Sequence, residues 1–195
     1  MTTQEPAVAA PRWLSPAELE AWMATIGVIT RLPNLLDRQL QRDSGLTHFE
    51  YQVLAGLSQA PDRELRMSTL AEFTEGQLPR LSQVATRLEK RGWITRRPDP
   101  ADRRSTLATL TDAGMAMLVA AAPGHVEQVR RIVFDPLTAA QVRQLQEIGR
   151  RINEAATSEL GLAGGTGGRP HGALPAVPRR RAGRGGPSSP VPPSG

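Results

Sequence analysis

The sequence contains no cysteine, a single lysine and few aromatic residues. Without cysteine the chain cannot form disulfides, bind a metal through thiolates or sense oxidants by cysteine oxidation. Its longest apolar run, residues 115–122, is much shorter than the roughly 20 residues that span a bilayer. The N-terminus lacks the basic and then apolar order of a secretory signal. These absences predict a cytoplasmic protein that does not bind membranes.

The residues that enzymes use are also scarce. The chain has three histidines, and one of them lies in the last 35 residues. No glycine-rich phosphate loop follows a predicted strand, and no cluster of side chains has the spacing of a metal site. The sequence therefore predicts a protein that is not an enzyme and that needs no cofactor.

The net charge of +5 is unevenly distributed. Residues 161–195 contain five arginines and no acid, so residues 1–160 contain 19 basic and 19 acidic residues. Within that neutral part, residues 78–105 hold eight basic and three acidic residues. A basic face on a neutral body is typical of a protein that binds a polyanion. The alternative is an ordinary solvated face, which usually mixes charges of both signs.

Helix starts are clearly marked. Ser15 is followed by proline at the first helical position and by Glu18 three residues later, which is a capping box. The same pattern occurs at Thr47 and Thr138. Apolar residues then recur at steps of three and four, which predicts a long first helix, a second beginning near residue 48 and a last one over 139–160.

Prolines lie inside two of the predicted helices. Pro33 is expected to kink or interrupt the first helix. Another helix should begin after Thr111 and continue towards Phe134, with a bend or break at Pro123-Gly124.

Residues 65–110 have the pattern of two short helices followed by strands. Ser68 is predicted to cap a short helix over 69–73, and after a turn a second helix should cover 78–91 and end at Gly92. Two strands follow, 93–97 and 105–110, and residues 65–67 are expected to add a third. A helix, a turn, a helix and a two-stranded hairpin form a winged helix-turn-helix.

The helix over 78–91 is expected to present a polar face. If Leu81, Val84, Ala85 and Leu88 pack inward, the opposite side carries donors and acceptors suited to base edges and phosphates. Those side chains are Arg80, Gln83, Thr86 and Arg87, with Ser82 and Lys90 beside them.

Four arginines surround the turn of the predicted hairpin: Arg96, Arg97, Arg103 and Arg104. Arginine suits a hairpin that lies over a DNA minor groove, because a narrow groove concentrates negative potential. Asp102 is expected to pair with a nearby arginine so that another points outward. The alternative is that Asp99 and Asp102 are turn residues, and the two roles are compatible.

Residues from about 14 to 160 resemble the multiple-antibiotic-resistance regulator (MarR) family of bacterial transcription factors. The most specific match is Asp102-Arg103-Arg104, followed by Leu110-Thr111 and Gly114. Residues 87–96, 70–72 and 46–47 also match the family pattern. One departure is Gln77-Leu78-Pro79, where many members have a serine or threonine cap.

The resemblance implies a mainly α-helical homodimer with a β-hairpin wing. Dimerisation helices would occupy about 14–44 and 112–160, and the winged helix-turn-helix about 46–111. The partners would be double-stranded DNA and a second copy of the chain. As a repressor, the two copies together would read a pseudo-palindromic operator. The predicted DNA-binding residues are Arg80, Ser82, Gln83, Thr86, Arg87, Arg96, Asp102, Arg103 and Arg104.

Many members also bind a small aromatic or anionic effector between the dimer body and the DNA-binding lobe. Trp22, His48 and Tyr51 are the residues expected to line such a site, although His48 at a helix start also suits a purely structural role. The sequence does not identify the effector.

Both ends of the chain differ in composition from residues 14–160. Residues 1–13 and the Gly-, Pro- and Arg-rich residues 161–195 are predicted to be disordered. The arginines of the last segment would either add nonspecific attraction to DNA or be dispensable. The rival is a winged-helix protein that coats DNA without reading it, or that acts through protein contacts.

Overall fold

The computed structural model describes residues 11–160, which form six α-helices and one three-stranded sheet. The predicted tail over 161–195 and the first ten residues lie outside the described part. In chain order the elements are α1 (Pro16–Ser44), α2 (His48–Gln59), β1 (Glu64–Arg66), α3 (Met67–Phe73), α4 (Leu78–Lys90), β2 (Ile94–Pro98), β3 (Thr106–Leu110), α5 (Asp112–Val129) and α6 (Ala139–Glu159).

Neither internal proline ends its helix. α1 continues through Pro33 and α5 through Pro123, so the predicted interruption and break are wrong. Proline removes one backbone hydrogen bond. Buried residues on the C-terminal side of each proline, Leu36 and Leu40 in α1 and His125 in α5, hold the helix against the core across the missing bond. A π-helical turn, Arg130–Phe134, then extends α5 to the predicted end.

The predicted cap of α3 is also wrong. The helix begins at Met67, its N-cap is Arg66, and no side chain caps it. β1 pairs with β3 and leads directly into the helix, with Leu65 opposite Ala108. Met67 must then be helical for its side chain to be buried in the core, which leaves Ser68 exposed inside the first turn.

The sheet is antiparallel, with β3 in the centre between β1 and β2. β2 follows α4 after a tight turn in which Gly92 has a φ of 73°, a left-handed conformation that glycine adopts without strain. The hairpin of β2 and β3 is the predicted wing, and its register aligns Thr95 with Thr109.

One core joins the wing lobe to the helices around it. Buried leucines come from α2, α3, α4 and β3, and Leu40 of α1 and Leu118 of α5 pack into the same cluster. α1 and α5 are therefore fixed to the lobe by apolar packing. α6 is different, because none of its residues is buried.

The start of α5 is held against the turn between α4 and β2. The Thr111 backbone N–H donates to the Trp93 carbonyl (3.0 Å), and the Thr111 hydroxyl donates to the Gly92 carbonyl (2.7 Å). Gly114 allows this approach, since a Cβ at that position would lie 2.1 Å from the Trp93 oxygen. The position of α5 on the lobe therefore depends on a glycine at position 114, which has no side chain.

We expect Gly114→Ala to lower the free energy of unfolding by about 1–3 kcal/mol, the usual cost of forcing an extra carbon into a packed site. Chemical denaturation of the full chain measures this. Ala113→Ser is the control, because it adds one atom at the exposed neighbouring position and should change stability by less than about 0.5 kcal/mol. Equal effects of the two substitutions would contradict the close approach.

Candidate nucleic-acid interface

The inward and outward faces of α4 agree with the predicted division. Leu81, Val84, Ala85 and Leu88 are buried. The opposite side is open to solvent and consists of polar side chains, with Thr86 half-buried at its edge. The exposed predicted residues are Arg80, Ser82, Gln83 and Arg87, and Lys90 is exposed beside them.

Two arginines of α4 are held by contacts with α2. The Arg80 guanidinium lies 4.5 Å from the centre of the Phe49 ring, a cation–π contact. The Arg87 Nε donates to Glu50 Oε1 at 3.2 Å. Glu50 is almost fully buried, whereas about half of the Arg87 side chain stays exposed. The sequence did not predict Glu50, because its contact partner is 37 residues away.

Arg96 joins the wing to α4. Its guanidinium donates to Glu89 Oε2 (2.7 Å) and to the Thr86 hydroxyl (3.0 Å), and its backbone N–H donates to Glu89 Oε1 (3.0 Å). The hydrogen bonds from Arg96 lower the pKa of Glu89 below its usual value. The Arg96 side chain is only 22% exposed, so its charge interacts mainly with Glu89.

Two further ion pairs join the hairpin to β1. Arg97 pairs with Glu64 of β1 (2.8 Å), and Arg66 pairs with Asp99 (2.8 Å). The Asp99 carboxylate also accepts the backbone N–H of Ala101, and this bond is the largest cause of its lowered pKa, ahead of Arg66. These pairs fix the hairpin to β1.

The tip of the wing is the turn over residues 99–105, and it carries Arg103 and Arg104. Both side chains are exposed. Within residues 11–160 neither guanidinium makes an ion pair or a hydrogen bond to another side chain. The charges of Arg103 and Arg104 are therefore uncompensated, while those of Arg66, Arg96 and Arg97 are paired.

Within residues 11–160 no arginine side chain pairs with Asp102, so that expectation is wrong. Its carboxylate accepts the Arg104 backbone N–H (3.1 Å) and the Ser105 hydroxyl (2.9 Å). A short carboxylate in a tight turn is close to the donors two and three residues ahead, and these saturate it first. Asp102 therefore shapes the turn that presents the two arginines.

The start of α4 departs from the family pattern as the sequence predicted. Gln77 is the N-cap residue and its side chain makes no capping hydrogen bond. Pro79 lies in the first turn, where its missing N–H costs nothing, and Leu78 is half exposed.

A cavity of about 390 Å³ lies between the wing lobe and the surrounding helices. Its lining includes Leu32 and Leu36 of α1, His48 and Tyr51 of α2, and His125 of α5. Trp22, the third predicted residue, is half exposed on α1, ten residues or about 15 Å along the helix axis from Leu32. Trp22 therefore does not belong to this site.

The cavity contains buried polar atoms without partners. The Tyr51 hydroxyl and His125 Nδ1 accept or donate no hydrogen bond within the described residues. The Tyr51 and His125 ring centres are 4.4 Å apart, and those of His48 and His125 are 5.8 Å apart. His125 was not predicted, because nothing in its own helix indicates that two aromatic rings of α2 face it.

Burial controls the ionisation of this cluster. It raises the pKa of Tyr51 to about 12. It lowers the pKa of His125 to about 4, with a smaller contribution from His48, and it lowers the pKa of His48, which Asp37 partly offsets. All three groups are uncharged at neutral pH.

Residues 11–160 contain neither a membrane-spanning helix nor a cluster of metal ligands. No helix in that range is long and apolar enough to cross a membrane. No group of three or more acidic or histidine side chains there is arranged to hold a metal ion.

Comparison with known proteins identifies the fold. The family model of the MarR family matches residues 46–106. The MarR family transcriptional regulator Sco3205 from Streptomyces coelicolor, solved in complex with DNA, is 44% identical, with 76% of this chain and 92% of that chain covered and a TM-score of 0.71. AbsC, a MarR family regulator from the same organism, is 34% identical over 76% of this chain and 99% of that chain, with a TM-score of 0.70.

A curated relative agrees with these structures. The HTH-type transcriptional regulator PecS of Dickeya dadantii (strain 3937) is 30% identical over 142 residues, which cover 68% of this chain and 81% of PecS. The wing motif, the α4 surface and the arrangement of helices agree with this relationship. The chain belongs to the MarR family of transcriptional regulators.

Proposed function

We propose that this protein is a sequence-specific DNA-binding regulator that acts as a homodimeric repressor in the bacterial cytoplasm. The observation that carries the proposal is the position of the unpaired charge. Arg103 and Arg104 are uncompensated at the wing tip, next to the exposed polar face of α4. A duplex offers base edges to that face and phosphates or a minor groove to the tip. The relative Sco3205 is known in complex with DNA.

The site residues divide into three roles. Gln83, Ser82 and Arg87 face outward from α4 and would contact base edges in the major groove. Arg103 and Arg104 would anchor the wing to the backbone or minor groove. The remaining predicted residues hold parts of the interface in place. Arg96 and Thr86 fix the wing to α4, and Asp102 shapes the turn at the wing tip. Arg80 lies over the Phe49 ring at the edge of the α4 surface.

Exposed apolar side chains support a homodimer. α6 is a 21-residue helix without a buried residue, and Ile148 and Ile152 on one of its faces are each 55% exposed. In α1, Leu19, Trp22 and Ile29 are also more than half exposed. Most of the stability of a helix in a protein comes from packing its apolar face against another element, so α6 needs a partner surface. A second copy would cover both helices, which assigns about 14–44 and 112–160 to the dimer body and 46–111 to the DNA lobe.

The rival function is a winged helix that coats DNA without reading it. The two differ in the ratio of specific to nonspecific affinity, which for a regulator is roughly a thousandfold or more. Sequence selection from a random duplex pool with the full chain at physiological salt separates them. We expect a pseudo-palindrome whose half-sites are about one helical turn apart. A parallel selection with a chain ending at Leu160 measures the contribution of the tail, and enrichment of no sequence by either chain would refute the proposal.

We expect wing and helix substitutions to have different effects on binding. Arg103→Ala or Arg104→Ala should weaken binding to every duplex and reduce the salt slope by about one unit, because each removes one phosphate contact. Gln83→Ala or Arg87→Ala should instead change which operator is preferred. Affinity measured at several salt concentrations, for the selected operator and for a random duplex, distinguishes the two.

Arg97→Ala is the matched control for the wing. It removes the same charge from the same hairpin, but from an arginine that is already paired with Glu64. Its effect on the salt slope should be much smaller. The division of roles would be wrong if Arg97, Arg103 and Gln83 substitutions behaved alike.

We also propose that a small ligand in the cavity releases DNA. The cavity touches α1, α2 and α5 and also Phe73 and Thr74 at the end of α3, so an occupant would contact both the body and the lobe. Among residues 11–160 no lysine or arginine lines the cavity, and burial lowers the pKa of both its histidines. This environment favours an uncharged aromatic ligand that hydrogen-bonds to Tyr51 and His125, and it disfavours an anion.

Benzamide and benzoate test this preference, since they are similar in size and differ in charge. Benzamide should raise the Tm of the full chain and weaken operator binding, because it binds the cavity and biases the protein towards one state. Benzoate should do neither. Tyr51→Phe, which removes the unpaired hydroxyl, should reduce the effect of benzamide. Equal stabilisation by benzoate would contradict the proposed ligand class.

A further inference from the structure

A buried carboxylate, that of Glu50, connects the start of α2 to the outward face of α4. Glu50 lies in the first turn of α2, and its residue is 2% exposed. Its Oε2 accepts the Thr47 backbone N–H at 2.9 Å, which closes the capping box of α2. Its Oε1 accepts the Arg87 Nε at 3.2 Å. One side chain thus joins the start of α2 to the outward face of α4.

The geometry of the Arg87 contact determines which part of its guanidinium is left for DNA. Glu50 engages the Nε, and within the described residues the two terminal nitrogens of Arg87 make no hydrogen bond. A planar guanidinium held at one edge keeps its other donors in a fixed direction. Fixing a flexible side chain before binding also reduces the entropy that is lost when the complex forms.

Arg91 strengthens the same anchor. Its guanidinium lies 4.0 Å from Glu50 Oε2, donates to the Gly45 carbonyl (3.1 Å) and stacks over the Trp93 ring at 4.9 Å. A buried carboxylate close to two cations has little freedom to turn, because burial makes loss of either partner costly. Glu50 is therefore a rigid support for Arg87.

We propose that Glu50 is a positioning residue for operator recognition: it never contacts DNA, but it orients the Arg87 guanidinium that does. The inference deepens the proposed function and rests on it. It predicts that sequence discrimination depends on a carboxylate on the far side of α4 from the duplex.

Glu50→Gln tests the role without removing the cap. In α6 the same capping position is occupied by Gln141, whose side-chain oxygen accepts the Thr138 backbone N–H, so glutamine closes a capping box in this chain. The substitution therefore removes the charge that holds Arg87 and keeps the helix start. Glu18→Gln is the matched control, because Glu18 closes the capping box of α1 with Ser15 and has no arginine partner among residues 11–160.

With the full chain, we expect Glu50→Gln to weaken binding to the selected operator by about tenfold, within the usual range for coupled neighbouring residues. Binding to random duplex should change much less. Glu18→Gln should leave both affinities unchanged. Glu50→Gln should unfold cooperatively but at a lower Tm than Glu18→Gln, because it breaks a buried ion pair. In an Arg87→Ala background, Glu50→Gln should cause no further loss. Additive losses, or equal losses with operator and random duplex, would overturn the positioning role.

A measurement without DNA guards against simple misfolding. In proton–nitrogen NMR spectra of the full chain, the Arg87 Nε–H should exchange slowly with solvent and should lose this protection in Glu50→Gln, while the Arg96 Nε–H bonded to Glu89 keeps it. An unprotected Arg87 Nε–H in the unsubstituted chain would overturn the inference.

The two proposals fail in different ways. If the unsubstituted chain selects an operator and Glu50→Gln binds it equally tightly, only the positioning role is lost. If the unsubstituted chain selects no sequence, the regulator proposal fails and the positioning role is overturned with it.

Discussion

The pairing of carboxylates with arginines inside the wing lobe is the constraint on which the rest of the interface depends. Four acidic side chains, all buried or half-buried, engage five arginines: Glu50, Glu64, Glu89 and Asp99 with Arg66, Arg87, Arg91, Arg96 and Arg97. These pairs hold α4, the wing and β1 in one arrangement. Charge that is free to attract a polyanion is then left at the wing tip. These five arginines can lie close together because the four acidic side chains compensate their positive charge.

The same lobe is rigidly joined to the body that would hold two copies together. The apolar core includes Leu40 of α1 and Leu118 of α5, and the glycine at position 114 brings α5 against the Trp93 carbonyl. A shift of α5 would therefore act on the turn between α4 and β2, where the wing begins. The cavity lies at this junction, and α2 carries both its Tyr51 and, one residue earlier, Glu50. A single helix thus contacts the cavity through Tyr51 and Arg87 of α4 through Glu50.

Membership of a family of transcriptional regulators confirms the predictions of a winged helix-turn-helix and of a protein that is not an enzyme. The errors share a cause. Pro33 and Pro123 carry local signals that normally end a helix, and Ser68 carries one that normally starts it. Packing against the core outweighs these signals: an internal proline costs about 3 kcal/mol, whereas the burial of Leu36 and Leu40 after Pro33 together contributes about 3–6 kcal/mol. Local pattern is reliable only where tertiary contacts agree with it.

The sequence by itself determined the elements whose signals are local. Capping boxes at Ser15, Thr47 and Thr138 and the glycine that ends α4 depend on neighbours within four residues, so the chain encodes them directly. It also determined which face of α4 is polar, since helical spacing fixes that. Only the tertiary structure decided which arginines are neutralised, that His125 faces Tyr51, and that Trp22 lies away from the cavity. Those facts depend on contacts between residues that are distant in the chain, and neither periodicity nor spacing in the sequence predicts which of these residues are in contact.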